Sequence, residues 1–243
     1  MREVRIYQAG DYSVGQRVEL SPEAAQHTAV VLRMQAGESL TLFNGTQCEF
    51  EATITQVKKK QVVVSINYCK EISRESPLQI HLGQAISKGD RMEWVMQKSV
   101  ELGVHSITPL ISERCVVKLD KERMLKKVQQ WQAIVIAACE QCGRNIVPVV
   151  HSPIHLVEFI QKTQSQLKLI LDPNGNKNWR DYPINKSSNI ALLIGPEGGF
   201  NKDEAALAFN HQFVSLSLGP RILRTETAAI SALSLLQAVG GDL

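Results

Sequence analysis

The sequence predicts two domains, a small β-barrel followed by an α/β domain with a mostly parallel sheet. Residues 1–72 alternate short β-type runs with turn signals, and residues 73–77 are polar and end in a proline. From residue 78 onward, apolar runs of strand length alternate with segments of helical period. The chain has 243 residues, 44% of them hydrophobic, which is enough for a small and a medium core. We therefore divide the chain into domains 1–72 and 78–243, joined by the linker 73–77.

The predicted barrel contains strands and one interrupting helix. Its strand candidates are residues 39–43, 48–57 and 61–68. Asn44-Gly45 between the first two is a strong hairpin signal. The helix has Ser21 as its N-cap and Pro22 at its first position, and we expect it to carry His27, Val30, Val31 and Met34 on one side. The triplet Lys58-Lys59-Lys60 is explained as well by a solvated hairpin end as by a nucleic-acid contact.

The α/β domain alternates strands and helices in the order that a parallel sheet requires. Strand candidates are residues 78–85, 106–111, 167–171, 190–194 and 213–218. Helix candidates are 90–102, 121–142, 155–163, 202–209 and 228–239. Asp90 and Glu93 at the start of the first helix have the spacing of a capping box. On these residues alone we expect an ordinary doubly wound sheet.

Composition excludes several classes of protein. No apolar run approaches the roughly 20 residues that span a bilayer, and the N-terminal residues carry mixed charge instead of a secretory apolar stretch, so we expect a cytoplasmic protein. Five cysteines indicate reduced thiols, and we read Cys139 and Cys142 as a helical pair and predict no metal site. The net charge is +3. A net positive charge this small does not by itself indicate RNA binding.

A glycine loop follows the apolar strand candidate 190–194. The segment Gly195-Pro196-Glu197-Gly198-Gly199-Phe200 leads into a helix that Asn201 and Glu204 are suited to cap. Glycines let a ligand approach the main chain, and a helix N-terminus offers free N–H groups. The loop suits a nucleotide-like ligand at the carboxyl edge of a sheet, although many glycine-rich turns are purely structural. It matches neither the dinucleotide fingerprint nor the Walker motif.

A second loop, residues 218–227, follows the next strand candidate. It contains Arg221, Arg224 and Glu226, which are costly to bury unless they pair or meet a charged ligand. One interpretation is an internal Arg–Glu pair that braces the loop. The other is a ligand pocket shared with the glycine loop, which we favour because both loops follow neighbouring strand candidates.

Together the two loops resemble the paired cofactor loops of the RsmE family, which methylates N3 of one uridine in 16S rRNA. Other segments resemble family motifs in the family order: Arg5-Ile6-Tyr7, His27, Val31-Leu32-Arg33-Met34, residues 97–103, residues 112–115 and residues 140–144. The resemblance covers essentially the whole chain. It implies a PUA-like barrel followed by a SPOUT methyltransferase domain with a C-terminal trefoil knot, a topology that general rules would not predict.

The resemblance also implies ligands and partners. The cofactor is S-adenosylmethionine, and the partner is 16S rRNA or the assembled small ribosomal subunit. The family forms homodimers through its knot helices, and the apolar helix 228–239 fits either such an interface or an intrachain core. Two alternatives remain open: a SPOUT methyltransferase that acts on tRNA or another rRNA site, and a non-catalytic RNA-binding ribosome-assembly factor.

Site residues are assigned by position in these motifs. For the cofactor we predict Leu171, Ile194, Gly195, Glu197, Gly198, Gly199, Leu218, Gly219, Ile222, Leu223, Arg224 and Thr225. For RNA contact we predict Arg5, His27 and Arg33, although an isolated histidine is more often simply packed. Uracil N3 must lose a proton, so either a carboxylate takes it or arginines stabilise the anion. Glu197 and Glu226 are candidates for the base or for anchors of the cofactor loops, and the candidates for anion stabilisation or phosphate contact are Arg114, Arg144 and Arg221. A structural salt bridge is an equally good explanation for each of these five residues.

Overall fold

The computed structural model describes residues 4–58, 61–115, 121–175, 177–186 and 188–243. The chain forms two compact units, Met1–Glu75 with Cys139–Val147, and Ser76–Ala138 with Pro148–Leu243. The division after Glu75 falls inside the predicted linker 73–77. The segment Cys139–Val147, which the sequence analysis placed in the second domain, belongs to the first unit. Asn145 accounts for this, since its Nδ2 donates to the Ile72 carbonyl at 2.9 Å.

The first unit is built on a five-stranded sheet with the order β1-β3-β4-β5-β2. The strands are β1 (Arg5–Tyr7), β2 (Arg17–Glu19), β3 (Ser39–Phe43), β4 (Cys48–Lys58) and β5 (Gln61–Glu71). The three predicted strands and the hairpin at Asn44-Gly45 are confirmed, and Gly45 has the positive φ of 88° that favours glycine. The strands β1 and β2 were not predicted, because three residues are too few to show a period. Lys59 and Lys60 lie outside the described residues.

The helix of this unit is shorter and less regular than predicted. Ser21 caps α1 (Pro22–Gln26) by accepting a hydrogen bond from the Ala24 N–H at 3.2 Å, as expected. A π-helical turn (His27–Val31) then follows. The wider π turn rotates the later side chains, so Val30 and Val31 are 57% and 62% exposed while Met34 is buried. The prediction that Val30, Val31 and Met34 share one side is therefore wrong.

The second unit contains a parallel sheet with the order β12-β10-β11-β6-β7-β8, and β9 also pairs with β7. The strands are β6 (Gln79–Ala85), β7 (Ser106–Ile111), β8 (Val149–Val150), β9 (Ile154–His155), β10 (Leu167–Leu171), β11 (Asn189–Ile194) and β12 (Val214–Leu216). The parallel α/β class is confirmed. Since the strands run the same way, the carboxyl ends of β10, β11 and β12 lie at one edge.

Five α-helices flank this sheet in the described part of the chain. They are α2 (Arg91–Glu101), α3 (Lys121–Cys142), α4 (Leu156–Lys162), α5 (Lys202–Asn210) and α6 (Thr225–Gly240). Asn201 and Glu204 form the predicted capping box of α5. Asp90 makes no such cap, because its backbone is already helical and its side chain does not reach the first-turn N–H groups. Within the described residues, no helix has both the length and the apolar composition needed to cross a membrane.

The core of the second unit holds the strand ends in place. Phe159 and Phe213 pack with Leu110, Ile170 and Leu193 in one buried cluster. Gly83 on β6 is needed for this packing, since a Cβ there would lie 2.7 Å from the Phe159 ring. The loops that leave β10 and β11 therefore start from fixed points.

Candidate active site

A cleft of about 880 Å³ opens in the second unit where β10 and β11 end. Its wall includes ten of the predicted cofactor residues: Leu171, Ile194, Gly195, Glu197, Gly198, Gly199, Ile222, Leu223, Arg224 and Thr225. Leu218 and Gly219 are not among the lining residues. Both predicted loops therefore contribute to one cleft, as the interpretation of a shared pocket requires.

The glycine loop after β11 makes a tight turn that depends on glycine at two positions. The Gly199 N–H donates to the Pro196 carbonyl at 2.8 Å, and Gly199 has a φ of 66°. A Cβ on Gly195 would lie 3.3 Å from the Phe200 ring. Glycine at these positions keeps the main chain open toward the cleft.

Thr225 fastens the two loops to each other. Its Oγ1 donates to the Gly195 carbonyl at 2.7 Å and accepts from Gln84 Nε2 at 2.9 Å, and Thr225 is 5% exposed. These bonds connect the start of α6 with the loop after β11 and with the end of β6. The cleft walls are therefore held by buried polar contacts.

The two candidate carboxylates, Glu197 and Glu226, both face Arg91. Arg91 Nη1 lies 2.6 Å from Glu197 Oε1, and Arg91 Nε lies 3.9 Å from Glu226 Oε1. Burial alone would raise the pKa of Glu197, but hydrogen bonds from its own N–H, from Arg91 and from the Lys88 N–H hold that pKa below its usual value. Glu226 Oε2 is buried and has no hydrogen-bond partner among the described residues. Arg221 and Arg224 are exposed, and the arginine that faces Glu226 is Arg91. The alternative interpretation, an Arg–Glu pair within the second loop, is therefore not the arrangement observed.

The three candidate arginines have different surroundings. Arg114 lines the cleft, and its Nη1 donates to the Gly198 carbonyl at 2.7 Å. Arg221 is exposed on the second loop but is not a lining residue. Arg144 lies in the first unit, where its Nε donates to Glu75 Oε1 at 3.1 Å and its side chain is 6% exposed. For Arg144 the structural salt bridge is the arrangement observed.

The predicted RNA-contact residues lie in the first unit. Arg5 is largely buried, with Nη1 2.6 Å from Glu49 Oε1 and Nη2 2.6 Å from Asn145 Oδ1. His27 begins the π-helical turn and is partly buried. Arg33 is exposed and has a φ of 58°, which is uncommon for a residue other than glycine. Of the three side chains, Arg33 is the one most available to a partner.

Several lining residues were missed by the sequence analysis. They are Arg91, the residues Asp172, Pro173 and Asn174 that follow β10, and Phe200, Lys202 and Phe209. Asp172-Pro173-Asn174-Gly175 is a turn signal directly after β10, so the rule that ligands bind beyond the carboxyl ends of parallel strands could have found it. Arg91 carries no sequence signal, because an arginine in a first helical turn has no special pattern. Among the described residues, no group of His, Cys, Asp and Glu side chains could hold a metal ion.

Two family models match the chain. The model of the RNA methyltransferase domain covers residues 74–237, and the model of the RNA methyltransferase PUA domain covers residues 20–67. The first model alone spans more than half of the chain. The chain therefore matches the PUA-domain model first and the methyltransferase-domain model after it.

Curated relatives and solved structures agree with these models. "Ribosomal RNA small subunit methyltransferase E" of Buchnera aphidicola subsp. Schizaphis graminum is 38% identical over 98% of this chain and 97% of its own length. The Bacillus subtilis protein of the same name is 31% identical over 90% and 91%. A Legionella pneumophila methyltransferase in complex with bound SAM is 62% identical, with a TM-score of 0.98 and full coverage of both chains. The Neisseria gonorrhoeae ribosomal RNA small subunit methyltransferase E bound to S-adenosyl methionine is 42% identical, with a TM-score of 0.93 and full coverage of both chains.

Proposed function

The chain belongs to the RNA methyltransferase family, and we propose that it transfers a methyl group from S-adenosylmethionine to N3 of a uridine in 16S rRNA of the small ribosomal subunit. The observation that carries this proposal is that both motif loops line one cleft at the carboxyl edge of the sheet. Two solved structures that resemble the whole chain hold the same methyl donor. Curated relatives that cover nearly the whole chain are named for the small-subunit rRNA.

The cleft has the size and chemistry that S-adenosylmethionine requires. Its volume of about 880 Å³ lies in the range of small-molecule sites. Apolar side chains such as Leu171, Ile194 and Leu223 suit the adenine ring, and the open main chain of Gly195 and Gly198 offers polar groups. When bound, the donor supplies a methyl group already activated by its positive sulfur. The chain's own residues therefore have to position the two reactants and stabilise charge.

We propose that arginine, and not a carboxylate, promotes loss of the uracil N3 proton. Glu197 is a weak base because its pKa is lowered and its Oε1 is occupied by Arg91 and Lys88. Glu226 is not a lining residue and faces Arg91. Arg114 lies at the cleft and can stabilise the negative charge that develops on the uracil oxygens while water removes the proton. In this proposal the two glutamates anchor the cofactor loops.

The target uridine must be unpaired, because N3 lies on its base-pairing edge. We propose that the first unit, which contains the match to the PUA domain, binds the surrounding rRNA. Arg33 is proposed to contact phosphate because it is exposed. Arg5 is proposed to act indirectly by shaping this unit, since its donors are used by Glu49 and Asn145.

We also propose the trefoil knot that the family resemblance implies. The segment between β10 and β11 contacts both β12 and the end of α6. The Ser217 N–H donates to the Lys177 carbonyl at 2.8 Å, and a Cβ on Gly240 would lie 2.8 Å from Ile184. Such contacts are expected where this segment surrounds the chain that passes from β12 to α6.

A homodimer is proposed on the same family basis. One face of α6 is buried within the chain through Ala229, Leu233 and Leu236, so the helix belongs to the intrachain core. Ile230 and Leu235, one on each flank of this face, remain partly exposed and could meet a second copy. Because the proposed substrate is ribosomal, we place the activity in the cytoplasm.

Methyl transfer to defined RNA tests the proposal. Small subunits or 16S rRNA that lack N3-methyluridine are incubated with labelled S-adenosylmethionine, and the product is digested to nucleosides and identified by mass. N3-methyluridine is expected, and rRNA already carrying this modification serves as the control that accepts no label. A different methylated nucleoside, or transfer to tRNA alone, overturns the substrate. Failure to bind S-adenosylmethionine would favour a non-catalytic ribosome-assembly factor, whereas cofactor binding without transfer to any of these RNAs would point to a missing RNA partner.

A further inference from the structure

A charge bridge connects helix α2 with both cleft loops. Arg91, the first residue of α2, faces Glu197 of the loop after β11 and Glu226 at the start of α6. The two carboxylates lie on segments that are far apart in the sequence but are fastened side by side by Thr225 and Gly195. One guanidinium therefore faces an acidic group from each loop.

The stability of α2 does not explain why an arginine occupies position 91. A cation in the first turn opposes the helix dipole. The side chains of Arg91 and Glu197 are 41% and 33% exposed, and ion pairs this exposed contribute little to folding. The next residue, Met92, is 1% exposed and anchors the helix by packing. Arg91 is therefore expected to act on the two loops that it contacts.

The two halves of the bridge are unequal. The bond to Glu197 is complete at 2.6 Å, whereas the 3.9 Å to Glu226 Oε1 is beyond hydrogen-bond range. Glu226 Oε2 is also buried without a partner among the described residues. A buried carboxylate oxygen without a donor is unfavourable, so a state that supplies one is stabilised. Arg91 has further N–H groups that can supply it.

We infer that Arg91 is a positioning residue that holds both loops in their cofactor-binding arrangement and completes its bond to Glu226 when the cleft is filled. The inference rests on the proposed function for the identity of the ligand. A small shift is enough, because Glu226 directly follows Thr225, which is already bound to the Gly195 carbonyl. A ligand that contacts both loops would favour this shift, and the completed bond would in turn favour the bound state.

Binding of S-adenosylhomocysteine, measured by calorimetry on the full chain, tests this inference. R91M is expected to weaken binding about tenfold, the equivalent of one charge-assisted hydrogen bond. R91K should recover part of the loss, since an ammonium can serve one carboxylate well but lacks the planar fork that serves two. K98M is the matched control, because Lys98 lies on the same helix and pairs with Glu101 at 2.8 Å. Equal affinities of R91M and K98M would overturn the role of Arg91.

A double-mutant cycle separates positioning from a general loss of structure. If Arg91 acts through Glu226, E226Q should weaken binding in the wild type but add little in the R91M background. Fully additive losses would contradict the inference. A structure with bound S-adenosylhomocysteine should show the Arg91–Glu226 separation reduced to about 3 Å. Wild-type protein that binds no S-adenosylhomocysteine would overturn the proposed cofactor, whereas normal wild-type binding with an unaffected R91M overturns only the bridge.

Discussion

Arg144 of the first unit and Arg114 of the second both lie in short segments that resemble motifs of the same family, but they occupy opposite environments. Arg144 has a side chain that is 6% exposed and a guanidinium bound to Glu75. Arg114 is exposed and has a hydrogen bond to one carbonyl, that of Gly198. A buried arginine with its carboxylate is committed to the fold, whereas an exposed one beside a cleft retains donors for a ligand. Arg144 is thus committed to the fold of the first unit, whereas Arg114 can present its donors to the cleft.

The largest expected effect in this comparison comes from replacing each arginine in turn. R144M leaves Glu75 as a largely buried carboxylate without its partner, and we expect the free energy of unfolding to fall by about 4 kcal/mol. R114M, the matched control, removes an exposed side chain and should change it by less than about 0.5 kcal/mol. Urea unfolding of both variants measures the difference. Similar losses in the two would show that burial does not separate their roles.

A half-buried histidine extends the comparison to the second unit. His81 is packed beside His151 and bonded to Thr108 Oγ1 at 2.7 Å. Burial, with smaller contributions from His151 and His105, lowers the pKa of His81 to about 4 from 6.5. Because the folded value lies below the unfolded one, stability is complete above pH 6.5 and is lost as the pH falls toward 4. The loss should reach about 3 kcal/mol at the acid end.

Unfolding by urea at several pH values between these limits measures that loss. In H81Q the free energy of unfolding should depend much less on pH, because the titrating group is gone. Part of the slope will remain, since burial also lowers the pKa of His151. An unchanged slope in H81Q would assign the acid sensitivity to other groups.

The bond that fastens the two cleft loops should have a smaller effect on stability and a visible one on ligand binding. T225V removes the hydroxyl that donates to the Gly195 carbonyl and accepts from Gln84, so the carbonyl loses this donor and Gln84 Nε2 keeps its bond to the Ala85 carbonyl. We expect a loss of about 2 kcal/mol in the free energy of unfolding. T225S keeps the hydroxyl and serves as the control. If T225V and T225S bind S-adenosylhomocysteine equally well, the bond does not hold the cleft.

Local sequence signals predicted the elements well where a period or a cap was long enough to read. The strand 106–111 and the capping box of α5 were found because an apolar run of strand length and a polar cap are properties of neighbouring residues. The helix at Ser21 was placed correctly at its start, but its π-helical end was not predicted, since a wider turn has no sequence pattern. Tertiary contacts likewise have no pattern in neighbouring residues and were not predicted.

The site shows the same division between local and long-range information. The two loops were identified from the glycines and charges that follow strand ends, and ten predicted residues line the cleft. The partner of each charge was not predictable, because Arg91 meets Glu226 and Arg144 meets Glu75 only through the fold. That Cys139–Val147 belongs to the first unit was not predicted either, because it depends on contacts between residues far apart in the sequence.

The smallest expected effect concerns catalysis by Arg114 itself. Arg114 lies at the cleft with donors to spare, so R114M should lower kcat/KM for rRNA about tenfold, equivalent to about 1.4 kcal/mol of transition-state stabilisation. R114K keeps the charge and should recover part of the rate.

If Arg114 stabilises the uracil anion, the loss appears in kcat, since that charge develops only in the transition state. If it only contacts phosphate, the loss appears in KM and fades at low salt, where all phosphate contacts strengthen. If R144M instead loses all activity while it remains folded, Arg144 takes part in the reaction, and the contrast between the two arginines is contradicted.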